Sequence, residues 1–381
     1  CIYDFQFSFG SISLDFPLAV LVVSAAMAFS TREESVPFSQ LVKNYWHVLF
    51  FCMVTVLVTF YSVNRSHSLA VQPQLMPSLL VFVVITQFVK TRAHIEFLLI
   101  GIVLAGVLVC CNVLYMLYTV EADHPLHKIN QLKWPLFIAP NDVLMLSIIA
   151  PLAAGLLFLK KQWFWRCFSV FYLLFALIII VLLESRQALA VYSVAIGFFF
   201  LLMRPWLGLV VLVILLCGGL LADHLLGGVL VKKLFLFPRI YLWHTAWEMF
   251  LDRPLFGQGP GMFKELYREY LPRAGYVFEE LSDRRPMNWA HSLYIEQLAE
   301  RGVAGFIALL LLLGKPVLAL LNQYREVRGA ECRVIIMALM GGFLAFLLSG
   351  IAEASLVRLW VVPVMFFLLS LASAVVCLKE R

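Results

Sequence analysis

Residues 163–222 read WFWRCFSVFYLLFALIIIVLLESRQALAVYSVAIGFFFLLMRPWLGLVVLVILLCGGLLA. Three apolar runs fill this stretch, at 163–183, 188–203 and 205–222, with short polar breaks between them. An α-helix needs roughly 20 apolar residues to cross a bilayer. Because no water inside the bilayer can satisfy backbone N–H and C=O groups, each run is expected to be helical. The stretch therefore predicts three consecutive membrane-spanning helices.

The rest of the chain repeats this pattern. Further apolar runs occur at 12–30, 45–62, 70–89, 96–119, 142–159, 303–322, 334–351 and 357–377. Composition agrees, since 62% of the 381 residues are hydrophobic and 14% are charged. A soluble domain with so many apolar runs would lack a polar surface. The sequence predicts an all-α polytopic membrane protein of about 11–12 transmembrane helices, the twelfth expected before Cys1, where the chain starts without a methionine.

Polar residues concentrate in one long segment, 223–302, which we call the polar loop. It divides the chain into N-terminal transmembrane helices at 1–222, a loop with catalytic elements at 223–302 and C-terminal transmembrane helices at 303–381. A membrane protein carries long polar segments where it works in water, so chemistry is expected in or beside this loop.

Lys and Arg are unequally distributed between alternate short loops. One set of loops, with the C-terminus, carries twelve of them, and the opposite set carries five when the polar loop is left out. Because cytoplasmic loops carry the positive excess, the polar loop, the 120–141 loop and the Glu184-Ser185-Arg186 turn are expected outside. This excess of Lys and Arg in one set of loops accounts for most of the net charge of +6. The charge is therefore explained by membrane topology, and no nucleic-acid partner is expected.

Within the polar loop the pattern predicts helix, turn and helix. Residues 238–250 start with a proline and space Ile240, Trp243, Trp247 and Phe250 along one stripe, which is typical of an amphipathic helix at the membrane surface. The glycines at 257, 259 and 261 indicate a tight turn. Without a preceding strand, GxGxG favours a simple turn over a phosphate site. A second helix begins near His291.

Residues 247–263, WEMFLDRPLFGQGPGMF, together with Arg239, HSLY at 291–294 and ERGVAG at 300–305, resemble the signature of the O-antigen ligase and polymerase superfamily. These proteins are bacterial inner-membrane glycosyltransferases of the GT-C type, which take glycan from a polyprenyl-diphosphate carrier in the periplasm. The resemblance covers about seventy residues closely. It departs at Ser292, where many members carry Asn, and in the compactness of the loop.

The resemblance implies a reaction and its partners. O-antigen glycan would pass from an undecaprenyl-diphosphate-linked donor to a sugar hydroxyl of the lipid A–core acceptor, completing lipopolysaccharide. The protein would lie among the lipids of the bacterial inner membrane, with its active site facing the periplasm. A ligase is favoured over an O-antigen polymerase and a protein O-oligosaccharyltransferase, because protein-modifying members tend to carry added outer domains. A lipid-linked glycan flippase or transporter should show deep intramembrane charges and an internal repeat, and the sequence shows neither.

Release of a diphosphate needs positive charge near the outer membrane surface. Arginine suits this task because its planar fork makes two parallel bonds to phosphate and keeps its proton. Arg186 lies between two apolar runs, where an arginine is costly unless it is paired; the alternatives are snorkelling and a pair with Glu184. Arg239 begins the amphipathic helix, beside free backbone N–H groups that favour anions. Both are predicted as catalytic, diphosphate-binding residues.

His291 is the predicted general base for the acceptor hydroxyl. Histidine takes a proton near neutral pH, and of the histidines expected outside only His291 lies on the matched motif. His244 is the alternative, although it is more simply an interfacial side chain. The possible substrate contacts are Tyr294, Gly257, Gly259, Asp142 and Glu353. Capping or ion pairing could also explain the last two, and Glu353 with Arg358 is a plausible ion pair.

No metal or other cofactor is expected. Glu279, Glu280 and Asp283 stand beside two arginines and are interpreted as a solvated loop rather than as metal ligands. The cysteines of the apolar runs form no CxxC pair, so neither disulfides nor a cysteine-bound metal are expected. Two arginines can replace a divalent cation at a diphosphate, and the resemblance implies that mechanism.

Overall fold

The computed structural model describes residues 6–9, 12–15, 38–119, 140–160, 162–225, 239–281, 287–358 and 360–379. Two short strands, β1 (Gln6–Phe9) and β2 (Ile12–Asp15), form an antiparallel hairpin, and the other elements are helices. β2 occupies the start of the run predicted as the first span, 12–30. Its apolar and polar residues alternate with a period of two, which favours a strand. Residues 16–30 of that run lie outside the described residues.

The part of the chain that the structure describes contains thirteen α-helices. They are α1 (Phe38–Phe60), α2 (Arg65–Val71), α3 (Met76–Phe88), α4 (Arg92–Thr119), α5 (Leu144–Leu159), α6 (Trp163–Leu182), α7 (Arg186–Met203), α8 (Pro205–Leu225), α9 (Ile240–Asp252), α10 (Met262–Tyr270), α11 (Leu293–Glu326), α12 (Ala330–Ala352) and α13 (Val361–Lys379). Short 3₁₀ turns occur at Gln72–Leu75, Pro140–Val143 and Phe278–Glu280.

Six helical segments of the described chain are long and apolar enough to cross a membrane. They are Arg65–Phe88, Arg92–Thr119, Trp163–Leu182, Arg186–Met203, Leu293–Glu326 and Ala330–Ile351. Shorter apolar helices are Asn44–Phe60, Leu144–Leu159, Pro205–Leu215 and Val361–Val375. Each of these segments overlaps one of the apolar runs found in the sequence. The prediction of an all-α, polytopic membrane protein is therefore confirmed.

Helix α5 is the centre of the membrane bundle and is buried along almost its whole length. Small residues let α12 approach it closely: a Cβ on Gly341 would lie 2.7 Å from Pro151 Cβ, and a Cβ on Gly155 would lie 2.7 Å from Ala338 Cβ. Close backbone approach at small residues is typical of packed membrane helices. These two contacts make α5 and α12 antiparallel, so the start of α5 lies beside the end of α12.

The described part of the polar loop packs as a small second core on the start of α11. Tyr241, Met249, Phe263, Tyr267 and Ala299 are among its buried members. Helix α11 then continues across residue 302, the boundary chosen from the sequence, into the membrane run. The bend occurs at Gly302, whose φ is 61° and whose Cα faces the backbone carbon of Leu255, 2.5 Å from an added Cβ. A glycine is needed there because an L side chain would be strained and would clash.

Candidate active site

A buried carboxylate, Glu353, holds together three separate parts of the chain. It follows the end of α12 and is 1% exposed. Its Oε2 lies 2.5 Å from Arg239 Nη1 at the start of α9 and 3.2 Å from His291 Nδ1 before α11. Its Oε1 pairs with Arg358, as the sequence predicted. A buried carboxylate needs such partners to offset the cost of losing water.

Asp142 joins the same group of side chains through Arg358. Arg358 Nη2 lies 2.7 Å from Asp142 Oδ1, and Trp360 Nε1 donates to that oxygen at 2.5 Å. Asp142 lies in the 3₁₀ turn before α5, and the antiparallel packing of α5 and α12 brings it near Glu353. We call Asp142, Arg239, His291, Glu353 and Arg358 the charged cluster.

The ionisation of Glu353 decides how His291 is oriented. Burial by itself raises the pKa of Glu353, but His291, Arg358 and Arg239 outweigh it and lower that pKa to about 2. The carboxylate is therefore ionised and can only accept hydrogen bonds. Burial lowers the pKa of His291 below its ordinary value, although Glu353 opposes the shift. A neutral His291 then donates from Nδ1 to Glu353 and keeps the lone pair of Nε2 for a substrate.

The backbone at His291 is held in an unusual conformation. Its φ is 56°, in the left-handed region, which costs a non-glycine residue about 1–2 kcal/mol. Ala290, just before it, donates its N–H to Glu296 Oε2 at 3.0 Å, and Ser292 leads into α11. The hydrogen bond from Ala290 to Glu296 fixes the turn, and the turn directs the imidazole of His291 to Glu353. Strain of this kind is often found at functional sites.

Arg239 lies at the N-cap of α9 with a side chain that is 31% exposed. It is therefore the more accessible arginine of the charged cluster, since Arg358 is 5% exposed. A partly exposed guanidinium at a helix start can receive an anion from solvent while the first-turn N–H groups add favourable charge.

Arg186 is the first residue of α7. Two residues later, the Ala188 carbonyl accepts a 2.8 Å hydrogen bond from Ser147 Oγ of α5. Ser147 is about one turn after Asp142. Arg186 and the charged cluster therefore lie at the same end of the helix bundle.

The glycine turn, residues 257–261, packs closely against α11 and the residues after α1. Gln258 N and Gly259 N donate to the carbonyls of Ala299 and Glu300 in α11, at 3.0 and 2.8 Å. The N–H groups that a phosphate would need are thus already bonded. An added Cβ on Gly257 would meet the backbone of Glu300, and one on Gly259 would meet Ser62. The packing accounts for both glycines; substrate contact there stays a prediction.

Two further contacts complete the frame around the site. Glu300 Oε1 accepts the N–H of Phe263 at 3.1 Å, which fixes the first turn of α10. Tyr294 donates its hydroxyl to the Leu347 carbonyl at 2.8 Å and so holds α11 against α12. A role of Tyr294 in binding substrate also stays a prediction.

His244, the alternative base, is exposed, and its Nδ1 lies 2.9 Å from the hydroxyl oxygen of Tyr276.

The sequence analysis gave Arg358 only an ion pair with Glu353 and gave Trp289 no role, whereas the structure places both at the charged cluster. The available signal for Arg358 was similar to the one used for Arg186, an arginine at the end of an apolar run. Trp289 stood two residues before the predicted base.

Within the described ranges, no three His, Cys, Asp or Glu side chains form a group that could hold a metal ion. Metal independence stays a prediction.

The fold defines a multi-pass membrane protein, and its buried cluster of charged residues lies at one end of the helix bundle. Residues 171–310 match the family model described as O-antigen ligase, a segment that includes Arg186, Arg239, the glycine turn and His291. The match confirms the resemblance to the O-antigen ligase and polymerase superfamily and indicates a glycosyltransferase-type enzyme. No curated protein sequence shows significant similarity to the chain.

Proposed function

We propose that this protein is an O-antigen ligase. It transfers O-antigen glycan from undecaprenyl diphosphate to a sugar hydroxyl of lipid A–core, on the periplasmic side of the bacterial inner membrane. The observation that supports this most is that Arg239 and His291 both contact Glu353 Oε2. This shared contact holds a group that can bind an anion next to a group that can act as a base.

In the proposed reaction the acceptor hydroxyl oxygen forms a bond to the anomeric carbon of the glycan. The bond from that carbon to the phosphate oxygen breaks, and its electron pair stays on the diphosphate. His291 Nε2 takes the hydroxyl proton and later releases it to water or to the diphosphate. Arg239 and Arg186 neutralise the charge that develops on the leaving group, without a metal.

Glu353 positions both active groups. Its ionised oxygen keeps the proton of His291 on Nδ1 and holds Arg239 beside the base. When the diphosphate binds, it competes with Glu353 for the accessible face of Arg239. Arg358 stays buried between Glu353 and Asp142 and offsets part of the negative charge of these two carboxylates.

The decisive experiment is the lipopolysaccharide of a strain that lacks this gene. A ligase deletion leaves lipid A–core uncapped and long polymer on the carrier. Caps of a single repeat would instead assign the protein as a polymerase, the alternative that the family match also allows. In a purified assay, glycan transfer should survive EDTA, and its abolition would restore a metal mechanism.

The orientation has its own test. Glu269 is exposed on α10, on the side of the charged cluster, whereas the native Cys332 is exposed at the start of α12, at the other end of the bundle. Glu269→Cys should react with a membrane-impermeant thiol reagent in intact spheroplasts, and Cys332 only after the membrane is broken. The reverse order would contradict a periplasmic site.

A further inference from the structure

The proposed mechanism uses the charged cluster but leaves one adjacent aromatic side chain, Trp289, without a role. The centroids of the Trp289 and His291 rings are 5.6 Å apart. Trp289 is partly exposed, whereas Ala290 after it and Met287 two residues before it are buried. A partly exposed tryptophan offers a ligand an apolar face together with an N–H donor.

The indole is held in a fixed position. The guanidinium carbon of Arg358 lies 4.8 Å from the centroid of the Trp289 ring, within the range of cation–π attraction. Arg358 is in turn fixed by Glu353 and Asp142. Because Glu353 also holds His291, the aromatic surface and the base keep a constant relative position. Rigid placement of this kind lowers the entropy cost of binding a ligand.

The indole N–H has His291 Nδ1 as its acceptor in the structure, and it loses that acceptor when Nδ1 carries the proton that His291 donates to Glu353. Trp289 Nε1 lies 3.3 Å from His291 Nδ1, the atom that also lies 3.2 Å from Glu353 Oε2. A nitrogen that carries a proton and donates it to a carboxylate cannot accept from the indole. No other acceptor for this N–H is found within the described part of the chain. Polar groups of a site without a protein partner commonly bind an oxygen of the ligand.

We propose that Trp289 forms the acceptor subsite: the sugar ring that carries the attacking hydroxyl packs against the indole, and the indole N–H donates to a neighbouring oxygen of that sugar. The inference rests on the proposed function, since it takes His291 as the base for the acceptor hydroxyl. A hydroxyl at His291 Nε2 leaves the rest of its sugar within reach of the indole. The donor sugar lies instead next to the diphosphate, which Arg239 and Arg186 bind.

The test uses the full chain in lipid nanodiscs. The probe is rough lipopolysaccharide, lipid A that carries core oligosaccharide without O-antigen. Trp289→Ala should raise its Kd and KM about 10-fold, as expected for loss of roughly one aromatic contact, and leave the KM for the lipid-linked donor unchanged. Trp289→Phe keeps the apolar face and loses only the N–H, so its Kd should rise less. Trp206→Ala, at the 62% exposed Trp206 near the start of α8, is the matched control and should change neither value.

The outcomes separate the subsite from the function on which it rests. If the parent protein transfers glycan and Trp289→Ala binds rough lipopolysaccharide normally, the acceptor subsite is wrong and the ligase stands. A raised donor KM with an unchanged Kd for rough lipopolysaccharide assigns the indole to the donor and also overturns the inference. A parent protein that neither binds rough lipopolysaccharide nor transfers glycan overturns the ligase, and the subsite with it.

Discussion

The charged cluster and the glycine turn both contribute residues to the sequence motif, but their side-chain and backbone groups make different contacts in the structure. Arg239 and His291 of the cluster and all of residues 257–261 lie in the segment that matches the O-antigen ligase model. The backbone N–H groups of Gln258 and Gly259 in the turn donate to carbonyls of α11, whereas the cluster contains a partly exposed arginine and the imidazole that we propose as the base. The matched segment therefore contains both the proposed reactive groups and the packed turn beside them.

The largest effect should come from His291, because it supplies the proposed chemical step. His291→Ala and His291→Gln should each lower the rate of transfer by roughly 10²–10⁴, while binding of the lipid-linked donor persists. Glutamine can hydrogen-bond but cannot take a proton at neutral pH. A His291→Gln enzyme with near-parental turnover would make His291 a positioning residue, and the base would then be sought at Glu296 or Glu353.

The arginines should come next. Arg239→Ala and Arg186→Ala should each lower turnover on the order of 10²–10³, as for loss of one preorganised group at a developing charge. Lysine keeps the charge but loses the bidentate fork, so the lysine variants should be nearly as impaired. Steady-state kinetics with purified protein measures this, and Arg273→Lys, on an exposed side chain, is the control. Full activity of Arg186→Lys would reduce Arg186 to a point charge or an interfacial anchor.

Glu353→Gln should reduce turnover less, by roughly 10- to 100-fold, because it disturbs the tautomer of His291 rather than removing the base. The pH profile gives the sharper readout. The base acts when it is deprotonated, so transfer rises with pH through the pKa of His291, which burial places below its ordinary value. Since Glu353 raises that pKa, its removal should move the acid limb to lower pH. A limb that stays in place would show that Glu353 is not coupled to His291.

The glycine turn should respond in stability rather than in chemistry. Gly257 has φ 67° and faces the backbone of Glu300, whereas Gly275 has φ 83° and nothing within 4 Å of an added Cβ. Gly275→Ala should cost about 1 kcal/mol from backbone strain alone, and Gly257→Ala clearly more, because it adds a clash. Melting temperatures in detergent compare the two. Equal losses would mean that the turn is not held against α11, and the contrast between the two regions would fail.

The amino-acid sequence by itself determined the membrane helices, because the hydrophobicity and the length of a segment decide whether it can span a bilayer. Both are local properties of the sequence. It also singled out Arg239 and His291, through several short segments that resemble a family signature. It gave the glycine turn and Tyr294 as possible substrate contacts, since a local pattern does not show which backbone groups are already bonded.

Only the tertiary structure decided that Asp142, Glu353 and Arg358 meet Arg239 and His291. These residues are far apart in the chain, and their meeting depends on the antiparallel packing of α5 against α12 at Gly155 and Gly341. The tautomer of His291 and the exposure of the Trp289 indole follow from that meeting. Burial and long-range pairing set the charge of a side chain, and neither can be read from its neighbours in sequence.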